Sequence, residues 1–131
     1  VVFYLDTTRN IRMTIERLHT NARMSLVVKH QGTVYLSGEV ANDFAGDVQQ
    51  QTRETLQNIE RLLDQAGTDK TRILSATLYL KDIDADFAGM NQVWDQWLPQ
   101  GCAPARATVQ AKLYDPAVLV EISIIAALPD A

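Results

Sequence analysis

The chain has a single cysteine, Cys102, so it cannot close a disulfide on itself. A reducing, cytoplasmic setting is the simplest fit to that scarcity. It has only two histidines, His19 and His30, and no His, Cys, Asp or Glu group at metal-ligand spacing, so no metal site is expected. No apolar run approaches the roughly 18 residues of a membrane span. Val1–Leu5 is apolar but short, lacks a leading basic residue and runs into Asp6, unlike a signal peptide. Basic residues are outnumbered, 12 against 16 acidic, for a net charge of −4. That balance argues against a nucleic-acid surface built on general basicity. There is no linker, repeat or low-complexity stretch. What is present is 131 residues, 47% of them hydrophobic, enough for one domain with a real core.

Hydrophobic spacing sets the elements. Residues 25–30 and 33–37 flank Gln31-Gly32 and predict a hairpin. Gly38 closes the second strand, where a backbone without Cβ permits a bulge or the close approach of a ligand. Val48, Thr52, Leu56, Ile59, Leu62, Leu63 and Ala66 recur at three- and four-residue steps. They predict a helix from Asp47 that stops at Gly67. Residues 72–80 read as a strand. Phe87, Met90, Trp94 and Leu98 form the stripe of a second helix ending at Pro99. Residues 106–113 and 118–127 read as the last two strands. The expected fold is α+β, β-β-α-β-α-β-β, with two helices on one face of a mixed sheet. Residues 1–12 read as an N-terminal extension and residues 13–131 as a single domain.

Side-chain alternation divides the strands into two faces. Val34, Leu36, Leu74, Ala76, Leu78, Leu80, Val109, Ala111, Leu113, Val120, Ile122 and Ile124 are uniformly apolar and are expected under the helices. The opposite set holds Thr33, Tyr35, Ser37, Ser75, Thr77, Tyr79, Arg106, Thr108, Gln110, Leu119, Glu121 and Ser123. That face is semi-apolar, so self-association through it is expected, with any site near the interface.

Arg106 and Glu121 break the pattern of two strands otherwise nearly free of charge. A guanidinium and a carboxylate are costly to bury unless they pair or bind something. The turn at Tyr114-Asp115-Pro116-Ala117 is short enough for their strands to be neighbours. Either they form a structural ion pair or they line a pocket that grips a small carboxylate.

Around these residues the chain resembles a known family. The segments Phe87–Trp97, Gly101–Val109 and Val120-Glu121-Ile122, with Tyr35-Leu36-Ser37-Gly38 earlier, are similar to the Rid (reactive intermediate deaminase) family. That family is also called YjgF and L-PSP endoribonuclease-like. The run Asn91–Trp97 resembles its small bacterial YoaB-like branch. The resemblance implies a chorismate-mutase-like domain and a homotrimer whose sheets close into a barrel, with sites at the subunit interfaces. It implies hydrolysis of enamines and imines, such as 2-aminoacrylate and 2-iminopropanoate, to 2-oxo acids and ammonia, with no cofactor. By position, Arg106 would bind the substrate carboxylate and Glu121 would orient water. Gly38, Ser37 and Thr108 would line the pocket, and Asn91 would support it. Met24 stands where many active members carry a tyrosine, and Ala107 where a serine or cysteine is common. Two alternatives accompany this expectation: a ligand-binding or regulatory trimer for small carboxylates, and an endoribonuclease.

Other features take plainer interpretations. Cys102 lacks an activating base nearby. Trp94 and Trp97 fall on or beside the apolar stripe and read as core. Gln49-Gln50-Gln51 reads as a solvated helix face. Asp82, Asp84 and Asp86 suit the N-terminal end of a helix better than a calcium site.

Overall fold

A computed structural model describes residues 14–130 and places β1 (Glu16–Thr20), β2 (Ser25–His30), β3 (Thr33–Leu36), α1 (Val48–Ala66), β4 (Ile73–Leu80), α2 (Ile83–Trp97), β5 (Ala105–Gln110) and β6 (Val120–Ala127) along the chain. The extension read at residues 1–12 lies outside the described residues. Among the described residues no helix is long and apolar enough to cross a membrane.

The strands form one sheet in the order β1-β2-β3-β6-β4-β5. Only β4 and β5 run parallel. Strand β1 is an addition to the expected order. Its sequence, Glu16-Arg17-Leu18-His19-Thr20, has one apolar residue and gives no hydrophobic alternation. It lies at the sheet edge, where charged side chains are tolerated. Asn21 turns the chain into β2: its Oδ1 accepts from the backbone N–H of Arg23 at 2.8 Å and Met24 at 2.9 Å.

Both helices start where short acids cap them. Asp47 accepts from Gln50 N–H at 2.9 Å, and Asp82 from Ala85 N–H at 3.1 Å. Helix α1 ends at Gly67, whose φ of 89° suits a residue without Cβ. Leu56, Ile59 and Leu63 of α1 and Met90 and Trp94 of α2 pack on Val34, Leu78, Leu80, Ile122 and Ile124. Each such apolar side chain contributes about 1.5–3 kcal/mol relative to exposure. One sheet face is thus covered by both helices.

Three sequence expectations need correction. Leu74 is 51% exposed, because the β4–β6 register shifts between Ile73 and Ser75 and buries Ile73 instead. The alternation of β5 is inverted. Ala76, Leu78 and Leu80 pair with Arg106, Thr108 and Gln110, which sets those three on the helix side. Val109 pairs with Tyr79 and shares the open face with Glu121, while Ala111 and Leu113 lie beyond the strand. The inversion arises because β5 is an edge strand whose polar side chains meet α2. Finally, Gln51 is buried, not solvated. Its Oε1 accepts from Leu119 N–H at 2.9 Å, and its Nε2 lies 3.0–3.2 Å from the carbonyls of Phe44, Gly46 and Ala117. This amide ties the loop before α1 to the turn before β6.

Candidate functional site

Strand β5 presents Arg106 to α2. Its Nη1 donates to Asn91 Oδ1 at 2.7 Å. Its guanidinium carbon lies 5.6 Å from the Trp94 ring centre and 5.9 Å from that of Phe87. These distances fall within cation–π range. Trp94 is 3% exposed and Phe87 43% exposed. Trp94 is therefore core, as expected, and also a wall for the arginine, which was not. One donor is spent on Asn91, and no carboxylate of the described residues pairs with the guanidinium. The remaining donors of the fork suit a planar carboxylate. Thr108, two residues along β5, holds its Oγ1 buried and without a partner.

Glu121 lies elsewhere. It pairs with Tyr79 on β4, on the sheet face the helices leave open. Gly38 makes room for it. A Cβ built on Gly38 would stand 2.4 Å from Glu121 Oε2, so the carboxylate occupies the space that the glycine vacates. Beside it, Ser37 Oγ donates to Glu39 Oε2 at 3.0 Å. Burial raises the Glu39 carboxyl above the usual glutamate range; the Ser37 hydroxyl pulls it down, the Glu121 charge raises it further, and Arg61 lowers it. Met24 is exposed in the β1–β2 turn. The bond from Ser37 N–H to Leu26 O, 2.9 Å, puts Met24 at the Gly38 end of the sheet.

The expected adjacency of Arg106 and Glu121 does not hold within one chain. Strand β4 separates β5 from β6. Arg106 lies level with Ala76 and faces α2; Glu121 lies level with Tyr79 and faces away. The structural ion pair is thereby removed. Two groups stand in its place: Arg106 with Asn91 and Thr108 on the helix side, and Glu121 with Gly38 on the open face. Sequence reasoning named most of these residues but missed Phe87 and Trp94 as neighbours of Arg106. Phe87 and Trp94 lie four and three positions from Asn91, a helical spacing that would have revealed them once Asn91 was singled out.

Three surface clefts among the described residues include neither Arg106 nor Glu121; one is lined by Lys81, Lys112 and Tyr114. No group of three His, Cys, Asp or Glu among the described residues could hold a metal ion. At the start of α2, Asp86 is raised from the usual aspartate range by burial and by the charges of Asp82 and Asp47.

The family described as Endoribonuclease L-PSP matches residues 14–128. The RutC family protein YoaB of Escherichia coli K12 is 46% identical over 116 residues, which cover 88% of this chain and 100% of that one. A crystal structure of a YjgF-family protein from Neisseria meningitidis superposes with a TM-score of 0.88 at 41% identity, covering 92% of this chain and 99% of that chain. A Rid-family protein of unknown function from Yersinia pestis superposes with a TM-score of 0.76 at 30% identity, covering 83% and 90%. With the same two-helix, mixed-sheet fold and a match across nearly all its described residues, the chain belongs to the Endoribonuclease L-PSP family, whose relatives carry the RutC, YjgF and Rid names.

Proposed function

We propose that this protein hydrolyses small 2-imino or enamine acids to 2-oxo acids and ammonia, in a homotrimer whose sites are each completed by two copies. The observation that carries this proposal is the division of the charges. Arg106 has free donors and no carboxylate partner among the described residues, while Glu121 sits on the opposite, open sheet face beside Gly38. Neither half makes a site alone. Tyr35 and Val109, with Val28 paired to Tyr35, give the open face the semi-apolar character that suits contact with a second copy.

In this mechanism Arg106 grips the substrate carboxylate with the fork that Asn91 leaves free. Glu121, supplied by the neighbouring copy, takes a proton from water as its oxygen adds to the imine carbon. Gly38 and Ser37 line that side. No metal or organic cofactor takes part. The cytoplasm, where such intermediates form, is the proposed location.

Met24 favours a second interpretation, a ligand-binding trimer that holds a 2-oxo acid without turnover. Its thioether cannot supply a hydroxyl at the Gly38 end of the sheet. The ribonuclease activity in the family's description fits less well with a net charge of −4.

The test generates an imine in situ with an amino-acid oxidase and traps it with semicarbazide. Loss of semicarbazone with the wild-type protein, restored by Arg106→Ala, supports deamination. Undiminished semicarbazone across several imines, with the protein folded and assembled, refutes it.

A further inference from the structure

We propose that the cleft in the turn between β5 and β6, flanked by Lys81 and Lys112, is a second ligand site that takes a small organic monocarboxylate with an apolar body. The cleft contains neither Arg106 nor Glu121 and stands apart from the deaminase site proposed above.

The turn is built before any ligand arrives. Ala111 N–H donates to Leu80 O at 3.0 Å just past β5, and Lys81 N–H donates to Leu119 O at 3.1 Å just before β6. Asp115 folds the chain between them. Its Oδ1 accepts from Ala117 N–H at 2.8 Å and its carbonyl from Val118 N–H at 3.1 Å. Buried Gln51 holds the turn from beneath, through the Ala117 carbonyl and Leu119 N–H. Phe44, from the loop before α1, meets the Tyr114 ring edge-on with 6.1 Å between centres. A wall pinned in this way has little freedom left to lose when a ligand docks on it.

The cleft has a volume of about 260 Å³ and is lined by Lys81, Lys112, Leu113, Tyr114, Asp115 and Pro116. Pockets for drug-sized ligands begin near roughly 300 Å³, so its ligand is small. Leu113, the Tyr114 ring, Pro116 and the lysine stems make the lining mostly apolar. Arg106 is level with Ala76, whereas β5 approaches the cleft at Gln110, level with Leu80. Four residues of strand, roughly 13 Å, separate the two.

Charge selects the ligand further. The chain as a whole is acidic, yet this cleft sets two ammonium groups against one carboxylate. The Asp115 carboxylate is turned to the Ala117 N–H. Lys81 Nζ donates to the Pro116 carbonyl, which fixes one cation at the rim with donors to spare. Lys112 makes no hydrogen bond or ion pair among the described residues. A local excess of one positive charge suits a monoanion better than a dianionic phosphate. The apolar lining disfavours a bare inorganic anion, which would give up its water there for few polar contacts.

Equilibrium dialysis with radiolabelled phenylacetate tests this on the assembled protein. Arg106→Ala serves as the background, so the arginine site cannot contribute and the result does not depend on whether wild type hydrolyses imines. One phenylacetate per chain should bind. Adding Lys112→Gln should weaken binding by about tenfold or more, and Lys112→Arg should keep it. Inorganic phosphate at the same concentration should not displace the label. No binding in the Arg106→Ala background, or binding unchanged by Lys112→Gln, overturns the proposal. Displacement by phosphate also overturns it, since it would reveal a patch of surface charge with no place for an apolar body. If Arg106→Ala does not fold, amide NMR shifts in wild type decide. Those of Leu113, Tyr114 and Ala117 should move as phenylacetate is added; movement confined to the surroundings of Arg106 refutes the second site.

Discussion

Gly38→Ala separates the placement of a catalytic carboxylate from the stability of the fold. The new methyl carbon would stand 2.4 Å from Glu121 Oε2, 3.0 Å from its carboxyl carbon and 3.3 Å from Cγ. Ordinary contact begins near 3.4 Å, so the carboxylate must retreat by about 1 Å. It can do so, because the clash is with the far end of a flexible side chain and not with backbone. Gly38 is also not among the positive-φ glycines, so alanine fits the backbone. Folding should therefore be unharmed, and the stiffer unfolded chain can add about 0.4–1 kcal/mol of stability. Catalysis should not be spared: misplacing a reacting group by about 1 Å typically costs on the order of 100-fold. The assay pairs kcat/KM in the semicarbazide competition with a thermal melt. The expected result is a loss of about 100-fold with an unchanged or higher Tm. Full activity in Gly38→Ala would refute the placement of Glu121 as the water-directing group. A large fall in Tm would refute the claim that the clash is soft.

Asn91→Ala should raise KM with kcat little changed, since it frees a guanidinium that Asn91 holds at 2.7 Å; steady-state kinetics check this. Gln51→Ala leaves Leu119 N–H and the Ala117 carbonyl without their buried partner and should cost about 1–3 kcal/mol in urea denaturation. Tyr35→Asp with Val109→Asp puts charge on the open face and should reduce the light-scattering mass from three times 14.6 kDa toward a single chain. Asp86 is raised in the folded state, so the folded chain binds more protons than the unfolded one between the usual aspartate value and the raised one. Its charge therefore lowers stability as pH rises through that window. Asp86→Asn should be the more stable protein at neutral pH, and the difference should vanish below the window in melts run across pH.

The helices were legible because their apolar stripes recur at helical spacing and their ends carry Asp47, Gly67 and Asp82. Central strands β4 and β6 were legible from alternation, apart from Leu74, where a bulge breaks the period. Edge strands were not. With one apolar residue, β1 has no pattern to read, and in β5 the polar residues turn toward a helix while Val109 turns outward. Pairing order was equally hidden. A short connection between β5 and β6 suggested neighbours, yet β4 enters between them because β5 joins β4 in parallel. Arg106 and Glu121 stood out because charge is scarce in their strands, and Gly38 because a strand end carried no side chain.

Opposite-face placement of Arg106 and Glu121 makes one demand that a single mixing experiment can test. Arg106→Ala and Glu121→Gln are each purified in inactive form, dissociated, mixed in equal amounts and reassembled. If each site takes its arginine from one copy and its glutamate from the next, one site in three is intact in every mixed trimer, about one quarter of all sites after random reassembly, and about that share of wild-type deaminase activity returns. If mixed trimers form and remain inactive, the site does not draw its two charges from different copies, and the account fails.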